Sequence, residues 1–199
     1  RGIIHACLNG DIDNYQELKR RYESAGNAVP EDITTDTKII PLHITHYLAQ
    51  GFDIQEAFRR AVNDFEGSHA IIMHTDLAPG RLFLAQRGSG QAIFIGMGDD
   101  CFMPASEVYG FVEETQRFVK LDAEKASGGK DGAAGQIVIL DQDAPAAPEG
   151  MRSMLYDGTP LRITAADIQR TAITSRDIDR QGFTHYFLKE ISEAPASVE

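Results

Sequence analysis

Ile3-Ile4-His5-Ala6-Cys7-Leu8-Asn9-Gly10-Asp11-Ile12-Asp13-Asn14-Tyr15-Gln16-Glu17-Leu18 is the stretch from which the rest of the chain is read. Its first six residues form an apolar run that predicts a buried strand, and Asn9-Gly10 supplies a strong turn signal. Asp13 then reads as a helix N-cap, with Gln16 three residues on completing a capping-box-like pair. Tyr15, Leu18 and Tyr22 recur at helical spacing up to Gly26, a plausible stop. A chain that begins Arg1-Gly2 and enters a strand almost at once suggests a piece cut from something longer.

Two more helices follow. One is expected over Asp36 to Ala49, with Pro41 tolerated near its start and Ile39, Ile40, Leu42, Ile44, Tyr47 and Leu48 as a wide apolar stripe. Asp53 caps the next, which turns Ile54, Ala57, Phe58, Ala61 and Val62 inward. After Gly67 the pattern changes to strands: His69 to Met73, Arg81 to Ala85 and Ala92 to Ile95, then weaker ones at Cys101 to Met103, Arg117 to Leu121 and Gln136 to Leu140. Gly88-Ser89-Gly90 and Gly96-Met97-Gly98 read as hairpin turns, since neither sits in the strand–loop–helix context of a phosphate-binding loop. Helices followed by a run of antiparallel strands define an α+β fold.

The later part is less regular. Ala123 to Gly135, with Ser127-Gly128-Gly129 and Asp131-Gly132, reads as a flexible tip, and Asp143 to Gly150 as a linker. An extended segment around Leu155-Tyr156, a short helix near Thr164 to Arg170 and a final helix over Thr184 to Glu193 are expected, with Ala194 to Ser197 as a connector.

Composition narrows the function. The 199 residues carry a formal charge of −11, against the basic stripe that nucleic-acid binding needs. No apolar run is long enough for a membrane span. Cys7 and Cys101 make no disulfide framework and fit a reducing, cytoplasmic setting. Cys7 reads as a buried apolar filler, and Cys101 follows two aspartates that raise a thiol pKa, so neither resembles a nucleophile. His43 and His46 stand at i, i+3, a chelating spacing without a third ligand. These two, with His69 and His74, read as structural or surface histidines.

Two features admit chemistry. Asn9-Gly10 is either an ordinary turn or an oxyanion hole, in which the Asn amide and the Gly N–H both donate to a developing negative oxygen. Thr35-Asp36-Thr37 either caps a helix or places a carboxylate to hold an ammonium group.

Taken in order, these stretches resemble the class II, N-terminal-nucleophile glutamine amidotransferases. Asn9 to Leu18 resembles their "NGxIxNxxEL" stretch. Thr35-Asp36-Thr37 resembles "TDTE", with Lys38 in the acidic place, and Phe65 to Ala70 resembles "LxGxYA". Leu84 to Ser89 is similar to "LxxARxGSPL", though Gln91-Ala92 replaces Pro-Leu; Met103 to Glu107 is similar to "FxxASD". His185 to Pro195 closely resembles "HFMLKEIxEQP", at the join of glutaminase and sugar-isomerase domains in the branch that makes glucosamine 6-phosphate. The resemblance is weakest over Ala123 to Arg180.

The resemblance implies a partial four-layer αββα sandwich: an atypical glutaminase domain over 1–183 and a connector over 184–199 toward a sugar-isomerase domain absent here. It implies hydrolysis of L-glutamine and transfer of ammonia to fructose 6-phosphate, with no cofactor and no metal. Asn9 and Gly10 would form the oxyanion hole, and Asp36 would bind the substrate ammonium. The family's attacking cysteine and carboxylate-clamping arginine loop have no counterpart in this chain. The expectation is an excised, inactive piece that self-associates through uncovered sheet edges, belonging to a homo-oligomer. The rival is a degenerate amidotransferase-like domain with a binding or regulatory role.

Overall fold

A computed structural model describes residues 2–29, 34–125, 134–173, 180 and 182–198. Two antiparallel sheets stack with helices on one outer face. The elements run β1 (Ile4–Gly10), α1 (Tyr15–Ser24), α2 (Ile39–Ala49), α3 (Ile54–Asp64), β2 (His69–Thr75) and β3 (Arg81–Arg87). They continue with β4 (Phe94–Met97), β5 (Phe102–Ala105), β6 (Arg117–Lys120), β7 (Gln136–Asp141), β8 (Met151–Leu155), β9 (Pro160–Leu161), β10 (Gln169–Arg170) and α4 (Tyr186–Val198). The larger sheet is ordered β1-β2-β3-β7-β8-β9 and the smaller β10-β6-β4-β5.

Strand alternation divides the apolar residues between two cores. On β3, Phe83 and Ala85 face the helices, joining Phe58, Ile40, Ile44, Met73 and Tyr156. Leu84 faces the other sheet and meets Ile95, Met97, Val119 and Val138. The outer face of the smaller sheet is covered at Gly96 by the Phe111 ring; a Cβ there would lie 2.5 Å from it. Gly96 therefore belongs to β4 rather than to a turn.

Several expectations change. β1 is an edge strand with no buried residue, because nothing among the described residues pairs with its other side. The Asp13–Gln16 capping pair does not form. Asn14 is the N-cap of α1, and its side chain instead accepts from Glu66 N at 3.1 Å and donates to Asp64 O at 2.9 Å. That clamp ties α1 to the passage from α3 into β2, a longer-range use than local capping. Asp53 does cap α3, accepting from Glu56 N at 2.8 Å.

Thr164 and Asp167 make a capping box, but on a single 3-10 turn that passes into β10 instead of a helix. α4 carries on through Pro195 to Val198, so 194–197 is helical. Tyr186, Phe187, Leu188 and Ile191 of α4 are exposed. The glycine-rich tip at Ser127–Gly132 lies outside the described residues.

Candidate functional site

The site forms where β1 ends against β2. The two strands pair antiparallel, Asn9 opposite Ala70 and Gly10 opposite His69. Beyond the strands the ladder continues: Asp11 N donates to Ser68 O and Asp13 N to Glu66 O, both at 3.0 Å. In an antiparallel ladder, paired amides alternate along the strand. Odd-numbered amides of β1 thus face β2, and the even-numbered ones, Gly10 N–H among them, face the free edge.

Asp36 closes this edge. Its Oδ2 accepts the next even-numbered amide, Ile12 N–H, at 3.0 Å. Asp36 is therefore not spent on capping; the 3-10 turn at its own position has no side-chain cap. Among the described residues, its Oδ1 has no hydrogen-bond partner. The structure so brings Asn9, Gly10 and Asp36 to one corner. Gly10 N–H and Ile12 N–H are at most about 7 Å apart along a strand.

Glycine is required here for two reasons. Gly10 has φ of 102°, and a Cβ on it would lie 2.2 Å from Ser68 O. The same Cβ would meet Gln91 Cδ at 3.0 Å, so the Gln91 carboxamide packs on Gly10. Gln91 belongs to the turn between β3 and β4, which Gln86 pins by donating to Gln91 O at 2.9 Å and accepting from Ile93 N at 2.7 Å. This turn also lines a cavity of about 640 Å³ between the sheets, with Gln136, Lys120 and Arg162 on its walls.

Behind Gly10 lies a buried polar row. His69 pairs with Arg87 across the β2–β3 ladder, and its Nε2 stands 3.0 Å from Tyr156 Oη. The Arg87 guanidinium lies over the Tyr156 ring, 4.4 Å from its centroid. It donates to Phe65 O, at the end of α3, and at 2.9 Å to Ala134 O, ahead of β7. Burial, then the Arg87 charge, pushes His69 down to about 4, so the ring is neutral. Burial pushes Tyr156 up and Arg87 down. His69 Nδ1 is buried and has no hydrogen-bond partner among the described residues.

The remaining histidines and cysteines hold no such place. His43 is buried with Nε2 2.8 Å from Asp64 Oδ2, which also accepts from Tyr47 Oη. Burial raises the Asp64 carboxyl, but these two hydrogen bonds outweigh it and hold the group below its ordinary value. His46 meets Gln50 on the surface, and His5 stacks on His74. No group of three metal-binding side chains occurs among the described residues. Cys7 is exposed, not a core filler, because β1 is an edge; Cys101 is also exposed, its thiol raised by desolvation and by Asp100.

Asn9, Gly10 and Asp36 were singled out in the sequence by local features and by the family resemblance. Ser68, Arg87 and Tyr156 were not, since they arrive from far along the chain. Gln91 left one trace, as the residue replacing proline in the Gly-Ser-Pro-Leu pattern.

The fold is that of the N-terminal-nucleophile amidotransferases. A solved glutamine phosphoribosylpyrophosphate amidotransferase from B. subtilis, complexed with ADP and GMP, superposes with a TM-score of 0.58 at 21% identity, covering 78% of this chain and 30% of that one. A glutamine amidotransferase domain family matches residues 1–113. The chain belongs to this glutamine amidotransferase domain family. Among curated relatives, the glutamine–fructose-6-phosphate aminotransferase (isomerizing) of Methanothermobacter thermautotrophicus is 30% identical over 99% of this chain and 29% of its own length. That of Pyrococcus horikoshii is 31% identical over 100% of this chain and 29% of its own length. The chain thus spans under a third of these relatives.

Proposed function

We propose that this chain is the glutamine-handling part of an enzyme that hydrolyses L-glutamine and passes the ammonia to fructose 6-phosphate, giving glucosamine 6-phosphate and glutamate. The observation that carries this is the corner where Asp36 and the outward amide of Gly10 share one edge of β1. An amino-acid amide needs an anion for its α-ammonium at one end and donors for its carbonyl oxygen at the other, a few ångströms away. Asp36 Oδ1 suits the first. Gly10 N–H and the exposed Asn9 carboxamide suit the second, donating to the oxyanion as the carbonyl carbon becomes tetrahedral.

On this reading the attacking group comes from outside the 199 residues. Cys7 lies on β1 itself, two positions before Asn9, and Cys101 precedes β5 on the other sheet. The names and greater length of the curated relatives support the sugar-phosphate acceptor and a second, isomerase domain. The exposed apolar side chains of α4 suit a helix that packs on that further domain. We also propose a homo-oligomer in the cytoplasm, where two free thiols persist.

The test is made on the polypeptide as its source cells produce it. With amide-¹⁵N glutamine and fructose 6-phosphate, label is expected in an amino sugar phosphate; its absence, with glutamine still hydrolysed, overturns the acceptor. Asn9→Ala is expected to lower glutamine turnover by about a hundredfold or more. Asp36→Ala is expected to raise KM. Unchanged hydrolysis in both variants overturns the roles given to Asn9 and Asp36, whereas an unaltered polypeptide that does not hydrolyse glutamine leaves a non-catalytic binding domain.

A further inference from the structure

Asp64, the last residue of α3, is bonded on two sides at once. Its backbone carbonyl accepts from Asn14 Nδ2 at 2.9 Å, and Asn14 Oδ1 accepts from Glu66 N at 3.1 Å. That side holds the segment running on from Gly10. Its carboxylate faces α2: Oδ2 accepts from Tyr47 Oη and stands 2.8 Å from His43 Nε2. An ionised carboxylate only accepts, so both side chains donate to it. Hydrogen bonds to a charged acceptor are the stronger kind.

α2 continues without a break from the 3-10 turn that carries Asp36. Asp36, His43 and Tyr47 follow at intervals of seven and four, which keep residues on one side of a helix. Asp36 Oδ2 accepts from Ile12 N–H at 3.0 Å. The bonds therefore close a ring. It runs from Asp36 to Ile12, along the chain to Asn14, across to Asp64, then to His43 and Tyr47 and back along α2 to Asp36. Two bonded points roughly 10 Å apart along the helix axis fix where α2 stops against the end of β1. Buried Ile39, Ile40 and Ile44 hold α2 on the sheet, but apolar burial has no direction and leaves that position unset.

We infer that Asp64 is a positioning residue for Asp36. By holding α2 with its carboxylate and the Gly10–Asn14 segment with its carbonyl, it sets the span between the Asp36 carboxylate and the Gly10 N–H. The inference rests on the reading of Asp36 as the group that binds the substrate ammonium. On that reading the span must match the length of an amino acid, from its ammonium at one end to its reacting carbonyl at the other. Loosening α2 weakens the grip on the ammonium and leaves the donors at Asn9 and Gly10 where they are.

The test is a double-mutant cycle on glutamine hydrolysis, made on the polypeptide as its source cells produce it. Asp64→Ala removes the carboxylate, keeps the carbonyl bond to Asn14 and suits a helix. It is expected to raise KM about fivefold, the worth of one hydrogen bond, with kcat within about twofold. On an Asp36→Ala background the same change is expected to leave kcat/KM as it was, because the group through which Asp64 acts is gone. A purely structural role would repeat its loss on either background. Tyr47→Phe keeps the ring and removes one of the two donors; it serves where Asp64→Ala does not fold, with a rise in KM of about twofold expected. An unchanged KM in these variants, a fall in kcat alone, or the full loss repeated beside Asp36→Ala overturns the inference. An Asp36→Ala variant with unchanged KM overturns the ammonium reading itself, and this inference with it.

Discussion

The two edges of the larger sheet are built on opposite plans. β9 is two residues long and opens with Pro160, which has no N–H to offer. Short strands and prolines are the usual means of keeping a sheet edge from recruiting another chain. β1 is seven residues long, exposes His5, Cys7 and Asn9 in alternation, and borders a groove of about 560 Å³ lined by Ile4, Ala6, Thr35, Lys38 and Pro41. One edge is closed to partners, and the other holds a row of amides that nothing among the described residues pairs with, ending at Gly10. The difference teaches where to look for function in this sheet: the edge left long and unpaired is the one that carries the candidate site.

A matched pair of substitutions sharpens that contrast most. Gly10 ends β1 and Gly158 precedes β9, and both have positive φ, 102° and 92°. A Cβ at Gly10 would be 2.2 Å from the Ser68 carbonyl, whereas at Gly158 the nearest atom is Arg59 Cδ at 3.4 Å. Gly10→Ala is therefore expected to destabilise by about 4 kcal/mol, strain and overpacking together, and Gly158→Ala by about 1 kcal/mol, strain alone. Urea denaturation measures both; equal losses would erase the distinction.

The buried row between the edges responds to acid. His69 is held at about 4 when folded and titrates near 6.5 when unfolded. The folded state thus binds fewer protons there, so stability is complete above pH 6.5 and is lost as pH falls toward 4, by about 3 kcal/mol. Denaturation midpoints at pH 7 and pH 4 should show that excess loss in the wild type relative to His69→Gln, which lacks this ring and keeps every other titrating group. Parallel profiles would show that the ring is not held neutral.

Tyr156→Phe removes the hydroxyl that meets His69 and is expected to lose about 1 kcal/mol by the same assay. The smallest effect on stability belongs to the open edge. Cys7→Lys should change stability by less than about 0.5 kcal/mol while reducing self-association. Sedimentation velocity across a concentration series reads that, and a monomeric wild type would mean that the β1 edge does not recruit copies.

Local signals in the sequence were reliable where the structure uses them locally. The Asp53 cap, the α2 and α3 stripes and the apolar strands β2, β3 and β7 are all present. They misled where a residue is used at long range. Asn14 spends its side chain on Glu66 and Asp64, and Asp36 reaches back to Ile12. Apolarity in Ile3 to Leu8 said that one face is covered but not how many neighbours the strand has, so an edge was read as a buried strand. The Thr164–Asp167 box is real, yet the residues after it carry no apolar stripe to extend a helix. Asn9, Gly10 and Asp36 stand close enough in sequence to form a recognisable pattern. Arg87, Ala134 and Tyr156 meet only because β3, β7 and β8 are neighbours, which no local pattern encodes.

The placing of β7 beside β3 has a consequence for synthesis on the ribosome. β4, β5 and β6, all of the smaller sheet, are made between these two neighbours. At ~5–20 residues per second, the roughly 50 intervening residues leave the open side of β3 exposed for several seconds in the nascent chain. Arg87, at the end of that strand, is equally left waiting for the Ala134 carbonyl. The amino-terminal half can gather its helices early, but the central seam of the molecule closes late, and the growing chain is most vulnerable to clumping in that interval.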